Sequence, residues 1–283
     1  MNNVLTVDVE DWYMTSDLNI PVDQWDHFED RVQGNTLRIL NLFDEYQVKG
    51  TFFVLGCVAQ KFPAMVREIA RRGHEVGSHG TWHQLLTHMT RTQIYDDIAK
   101  SKFILEDLTG QQVQCYRAPS WSISPERFYV WDILEDLGFT VDSSLQPFRT
   151  PLSGIRRAPT QPFHPIVNGR QLSILEFPPA VARVWGQTVP FSGGLYLRVW
   201  PSRIIKFLLS HVNRTQPGSI YVHPWEFDEQ QPQIAQSPLI RFTHYHNLHT
   251  TENKLHALLE EFAFVRLKDV IETNSYPAIN LTG

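Results

Sequence analysis

Cysteine is scarce in this chain: 283 residues carry two, Cys57 and Cys115, far apart and outside any C-x-x-C pattern. That excludes a disulfide framework and a thiolate zinc site, and leaves both thiols to act as small buried hydrophobes. Blocks of Lys and Arg are missing as well. A formal charge of -5 and a sequence pI near 6.2 exclude the concentrated basic face that a phosphate backbone demands, so no nucleic-acid partner is expected. No run is apolar enough to cross a bilayer, and Met1-Asn2-Asn3 leads into a strand pattern without a basic leader. The expectation is a soluble, cytoplasmic chain with no transmembrane segment. Internal repeats and low-complexity tracts are absent too. What the chain has in quantity is histidine (12), tryptophan (eight) and aromatic residues overall (12%), a profile that suits metal chemistry and flat-ring ligands such as sugars. The length fits one α/β domain with insertions more simply than two small domains.

The stretch Gly73-His74-Glu75-Val76-Gly77-Ser78-His79-Gly80-Thr81-Trp82-His83 reads as a short strand opening into a loop. His79 and His83 stand four residues apart, an offset that lets both imidazoles reach one metal ion if the second sits on a first helical turn. Upstream, the β-branched run Val4 to Val9 ends in Asp8-Val9-Glu10-Asp11-Trp12. One acid there would be a solvated loop residue; three together at a strand end read as a metal and general-base cluster.

Further along, Ile39, Phe43 and Tyr46 share one face of a helix over 35–46, followed by a buried strand at Thr51 to Leu55. Pro63 opens a helix over about 63–72. Thr90 and Gln93 form a capping-box start for a helix reaching about Leu108, closed by Thr109-Gly110. Val113 to Tyr116 is a strand ending in Arg117-Ala118-Pro119-Ser120-Trp121, where a rigid guanidinium fork can hold a carboxylate ionised and oriented. A helix over about 125–136 precedes a strand that carries Asp142. Residues 146–170, rich in Pro, Arg and Gln, read as a long loop. Leu172 to Phe177 returns as a strand. Phe191-Ser192-Gly193-Gly194-Leu195 is a turn whose glycines either let the backbone approach a ligand or simply turn the chain. A helix over about 202–213 leads to the strand Ser219 to His223, then Pro224-Trp225-Glu226, and a helix over about 252–263 closes the pattern. Alternating strands and helices predict parallel strands with right-handed crossovers. In a barrel the ends at Asp8, His79, Arg117, Asp142 and His223 converge on one mouth.

These five stretches, in this order and spacing, resemble the NodB-type polysaccharide deacetylases, similar to carbohydrate esterase family 4, from about residue 4 to about 225. Thr6-Val7-Asp8-Val9-Glu10 looks like the first motif, His79-Gly80-Thr81-Trp82-His83 the second, Arg117-Ala118-Pro119 the third, Asp142 the fourth and Val222-His223 the fifth. The Asp-x-acid form of the first motif is similar to an exopolysaccharide-locus branch, whose C-terminal extension Phe191-Ser192-Gly193-Gly194 and Tyr245-His246-Asn247-Leu248 also resemble. The chain departs from the general pattern at Glu10, at Gly80 where Ser or Thr is usual, and at Tyr221 where Leu is usual. The resemblance implies an irregular (β/α) barrel of seven strands in a single domain over 1–283, with a core of about 4–225 and an extension of about 226–275. It implies hydrolysis of the acetamide of N-acetylhexosamine residues in a polysaccharide, releasing acetate, with a divalent metal, Zn²⁺ before Co²⁺ or Ni²⁺.

Under that reading Glu10, His79 and His83 hold the metal, with Asp11 the alternative carboxylate. Two imidazoles and one carboxylate leave an open position, the catalytic rather than structural arrangement. Asp8 is the general base, Arg117, itself held by Asp142, keeps Asp8 ionised, and His223 is the general acid. The backbone N–H near Ser120 is an oxyanion donor. Trp12, Trp82, Trp121 and Trp225 each lie beside a motif, and Trp121 and Trp225 are the expected sugar contacts beside Ser120. The run His244 to His249 suggests a second metal site only weakly. Two rivals share the residues: a small-molecule amidohydrolase of the allantoinase type, which needs a closed pocket, and a carbohydrate-binding protein without catalysis, which would not retain every expected catalytic group.

Overall fold

The structure, a computed structural model, describes residues 1–234 and 236–281. Eight strands form its main sheet: β1 (Asn3–Val9), β2 (Thr51–Val54), β3 (Glu75–Ser78), β4 (Cys115–Tyr116), β5 (Val141–Asp142), β6 (Leu175–Glu176), β7 (Ser219–Val222) and β8 (Phe264–Val265). The order is β7-β1-β2-β3-β4-β5-β6, with β8 beside β1, and the sheet is a curled half-barrel of parallel strands. All seven expected strands are in it. The eighth, two residues long, lies outside the sequence reading.

Contacts group the chain into two interleaved compact units: Met1–Phe52, Gly73–Glu75 and Ala180–Val270 in one; Phe53–Arg72, Val76–Pro179 and the chain from Ile271 onward in the other. In the first, β1 runs parallel to β7 with Val4 opposite Ser219 and Val7 opposite Val222. Every β1 residue is buried, as a strand covered on both faces requires, which is why its sequence is a continuous apolar run and not an alternation. The helix Val32–Glu45 turns Val32, Ile39, Leu40 and Phe43 inward. In the second unit the capping box is present: Thr90 Oγ1 accepts from Gln93 N and Gln93 Oε1 from Thr90 N, and Gly110, at φ 65, ends the helix Arg91–Thr109.

Several features differ from expectation. Residues 146–170 contain the strand His164–Val167, which pairs with Arg170–Gln171 and with Ala278–Asn280. A hairpin, Val181–Val184 with Gln187–Pro190, and the helices Gly56–Lys61, Gly194–Val199, Pro238–Tyr245 and Leu267–Thr273 are also additional. The Gly193 backbone approaches the last core strand, not a ligand. Tyr221 N donates to Ser192 O at 2.9 Å, and a Cβ on Gly193 would lie 2.4 Å from Tyr221 O. Among the described residues no helix is long and apolar enough to cross a membrane.

Candidate metal and catalytic site

Beyond the buried end of β1 the three acids take different work. Asp11 is a helix cap: its Oδ1 accepts from Trp12 N at 2.9 Å, and its Oδ2 from Arg31 N at 2.7 Å and Val32 N at 2.9 Å, at the start of the Val32–Glu45 helix. Burial raises its carboxyl to about 6 even though those N–H groups pull it down. Asp8 and Glu10 are buried without serving a helix end. Glu10 Oε1 accepts from Trp225 Nε1 at 3.0 Å, and His223 Nε2 lies 3.9 Å from both Glu10 Oε1 and Asp8 Oδ2.

His223 follows β7 and is the first residue of a tight 3-10 turn, Pro224–Phe227, that returns Glu226 to it. Glu226 Oε2 accepts from His223 Nδ1 at 2.9 Å and from His223 N at 3.0 Å, while Oε1 accepts from Arg198 Nε at 2.9 Å. Burial disfavours a charged ring here. The hydrogen bond and charge of Glu226, with Glu10 and Asp8 behind them, outweigh that and raise His223 from 6.5 to about 9. Glu226 itself falls below the usual carboxylate range, because His223 and Arg198 overcome its own desolvation.

The Trp225 ring stacks on His223 at 5.1 Å and on His244 at 4.4 Å. His244 is buried in the helix Pro238–Tyr245, its Nδ1 3.2 Å from Asp17 Oδ2 and its Nε2 3.2 Å from Gln231 Oε1. The run 244–249 therefore serves packing, and it supplies no group of clustered metal donors among the described residues.

In the second unit His79 follows β3, and its Nδ1 lies 2.7 Å from Arg117 O, so this nitrogen carries the proton and Nε2 is left for a metal. His83 is not on a helical turn. It sits in a loop at φ 49, and the two rings come within 5.2 Å because the backbone curls left-handed at Gly80 and again at His83. Gly80 is required there: at φ +75 a Cβ would stand 2.7 Å from Asp97 Oδ2. Asp97 accepts from Thr81 N at 2.8 Å and its carbonyl from Thr81 Oγ1 at 2.7 Å, fastening the loop to the Arg91–Thr109 helix.

Arg117 is fully buried, with Nη2 on Ser143 Oγ at 2.9 Å and Nε on Ser143 O at 3.2 Å. Asp142, the expected partner of Arg117, is fully buried as well. Asp142 accepts from Trp131 Nε1 at 2.7 Å and from Ser144 Oγ, and it shares a hydrogen bond with Glu176. Burial and the neighbouring Asp142 charge push the Glu176 carboxyl well above the usual carboxylate range. Ser144 Oγ also accepts from Ala118 N at 2.8 Å, so Asp142 reaches the Arg117-Ala118-Pro119 stretch through Ser144. Ser120 and Trp121 both adopt left-handed backbone, φ 51 and φ 50, in the short turn after it.

Glu10, His79 and His83 each offer one ligand atom, all within 4.8 Å of one another, and all three residues are buried. This donor set of one carboxylate and two imidazoles suits a borderline ion such as zinc. Of the four tryptophans beside the motifs, Trp12 is 1% exposed, Trp225 6%, Trp121 7% and Trp82 36%. Trp225 as a sugar contact is thus corrected: its ring is covered by imidazoles and its N–H is committed to Glu10. Trp82 is the most exposed of the four, with Lys100 Nζ over its ring at 5.5 Å. Sequence reasoning passed over Glu226, Arg198 and Glu176; a carboxylate three residues past the last strand's histidine was the available signal for the first.

Residues 25–141 match the polysaccharide deacetylase family, and residues 143–272 match a domain of unknown function, DUF3473. The chain is 36% identical over 108 residues to a peptidoglycan deacetylase of Helicobacter pylori, covering 38% of this chain and 36% of that protein. It is 37% identical over 84 residues to a peptidoglycan-N-acetylglucosamine deacetylase of Bacillus cereus, 30% of each. It spans about a third of the length of these curated relatives. A solved structure assigned as a polysaccharide deacetylase from Mycobacterium smegmatis shares the fold at a TM-score of 0.63 and 18% identity, over 96% of this chain and 89% of that one. Residues 25–141 thus carry the sequence likeness to polysaccharide deacetylases, and the fold is shared over nearly the whole length with the solved structure.

Proposed function

We propose that this protein is a metal-dependent N-deacetylase that removes acetyl groups from N-acetylhexosamine residues of a polysaccharide. The observation that carries this reading is the buried trio Glu10, His79 and His83, its donor atoms within 4.8 Å of one another, with Asp8 and His223 beside Glu10. Glu10, His79 and His83 would hold a Zn²⁺-like ion, which when bound would supply Lewis acidity and bring the pKa of water down toward neutrality. Asp8 accepts the proton of the attacking water, the C–N bond of the acetamide breaks, and His223 delivers a proton to the departing amine; the products are acetate and a hexosamine residue that stays in the polymer with its amine free. Backbone N–H near Ser120 serves the oxyanion.

The activity of the matched relatives supports a peptidoglycan-type glycan, and the Asp-x-acid first motif supports an exopolysaccharide. Acetate release from N-acetylglucosamine oligomers, exopolysaccharide and peptidoglycan, each with and without chelator, tests both. Chelator-sensitive release is expected. Release of ammonia or urea from small amides in place of acetate, or acetate release undiminished by chelator, overturns the reading.

A further inference from the structure

We propose that Glu226, clamped by Arg198, is the positioning residue that fixes His223 with a proton on Nδ1 and its Nε2 turned toward Asp8 and Glu10. The region 143–272, matched to a domain of unknown function, thereby supplies the acid half of the site. This rests on the reading of His223 as the proton donor to the amine.

The division of labour between the two Glu226 oxygens carries the argument. Oε2 takes both the backbone N–H and the ring Nδ1–H of His223, and Oε1 takes the Arg198 guanidinium. With one edge of the imidazole fixed, the other edge has one direction left, where Nε2 stands 3.9 Å from Asp8 and from Glu10. Trp225, stacked on the ring at 5.1 Å, restrains its plane. Arg198 is equally constrained: Nη1 donates to His244 O at 2.9 Å and His246 O at 2.7 Å, and Nη2 to Thr243 O at 2.8 Å. Its own carbonyl is held by Lys254 Nζ at 2.5 Å. A fully buried ion pair is weak evidence for stability, since apolar residues of similar volume often do as well. An acceptor split between a guanidinium and a histidine edge is what orientation of the histidine requires, and it explains why Glu226 and Arg198 are both completely buried yet both charged.

Glutamine at 226 cannot serve both partners. Arg198 has donors only, and so does the His223 edge; one of them must face an amide NH₂. If Arg198 keeps the oxygen, the amide donates to Nδ1 and holds the ring neutral with its single proton on Nε2, and a neutral imidazole is too weak an acid to hand that proton to the departing amine.

The test uses the full-length, zinc-loaded protein. In the wild type, ¹⁵N NMR of His223 should show Nδ1 protonated; an Nδ1 without a proton overturns the proposal whatever the variants do. Glu226→Gln should retain about one zinc per chain and KM within about twofold, lose about 10²-fold or more in kcat for acetate release from N-acetylglucosamine oligomers, and show a changed Nδ1 signal. Arg198→Met should move kcat and the signal the same way, by less. A Glu226→Gln protein with Nδ1 still protonated and kcat unchanged refutes the positioning role. A wild type that binds zinc, shows the Nδ1 proton and releases no acetate refutes instead the deacetylase reading.

Discussion

Replacing Asp11 by alanine removes the acceptor for three backbone N–H groups, those of Trp12, Arg31 and Val32, at the start of the Val32–Glu45 helix. A buried donor left without a partner costs about 1–3 kcal/mol, so the gross loss is about 3–9 kcal/mol. Against it stands the cost of keeping this carboxyl charged. Burial lifts it from 3.8 to about 6, which at pH 7 is a penalty of about 3 kcal/mol that alanine does not carry. Water reaching the opened cap recovers part of the remainder, and the expected net destabilisation is about 2–4 kcal/mol. For a chain of this size that is a fall in melting temperature of roughly 3–7 °C. Zinc content should stay near one per chain, because Glu10 and not Asp11 joins His79 and His83. Glu10→Ala should do the reverse, losing zinc while the apo protein gives up about 1 kcal/mol for the Trp225 N–H it no longer accepts. Calorimetry of the apo forms with metal analysis of the same preparations reads both. An Asp11→Ala protein that loses zinc and melts as the wild type does would refute the assignment of cap and ligand.

Asp8→Asn should keep its zinc and lose a factor of about 10² to 10⁴ in kcat, since the amide has the shape but cannot take a proton; full turnover removes Asp8 from the reaction. His223→Ala should likewise keep zinc and bind oligosaccharide comparably while turnover falls, whereas parallel loss of metal would make it a ligand. Glu176 has a folded-state value raised well above 4.5, so its contribution to stability is complete below the unfolded value and is lost as pH rises through the folded one. The wild type should therefore lose melting temperature as pH rises, and Glu176→Gln should flatten that loss; parallel curves would refute the upward shift of the Glu176 carboxyl.

The core strands were legible because each buried run announces itself locally: Val4 to Val9 and Thr51 to Val54 are apolar on both faces, and Thr90, Gln93 and Gly110 mark a helix from end to end. The donor trio was legible for the same reason, each ligand falling just past a strand. What stayed hidden depends on a partner distant in sequence. Nothing in the sequence says that Glu176, 34 residues on from Asp142, is buried against it, with its carboxyl pushed up by that burial and by the Asp142 charge. Residues 164–167 read as loop because Pro165 interrupts the run and one of its two strand partners, Ala278–Asn280, lies over a hundred residues later. Glu226 follows Trp225 in plain view, yet its meaning comes from Arg198, which the chain places before an intervening helix and strand.

The carboxylate of Asp97, by fastening Thr81 while only glycine fits at position 80, has a thermodynamic consequence for the loop that carries His79 and His83. Ordering a backbone residue costs about 1–2 kcal/mol, and here that entropy is lost when the chain folds and not when an ion arrives. The two imidazoles wait at nearly their final separation, so ligation starts from a preorganised pair and its free energy appears almost wholly as affinity. A rigid pair is also less forgiving than a mobile one: an ion that demands a different spacing of its nitrogens must strain the loop against the Arg91–Thr109 helix. Discrimination among divalent metals is thus delegated in part to a side chain that touches none of them.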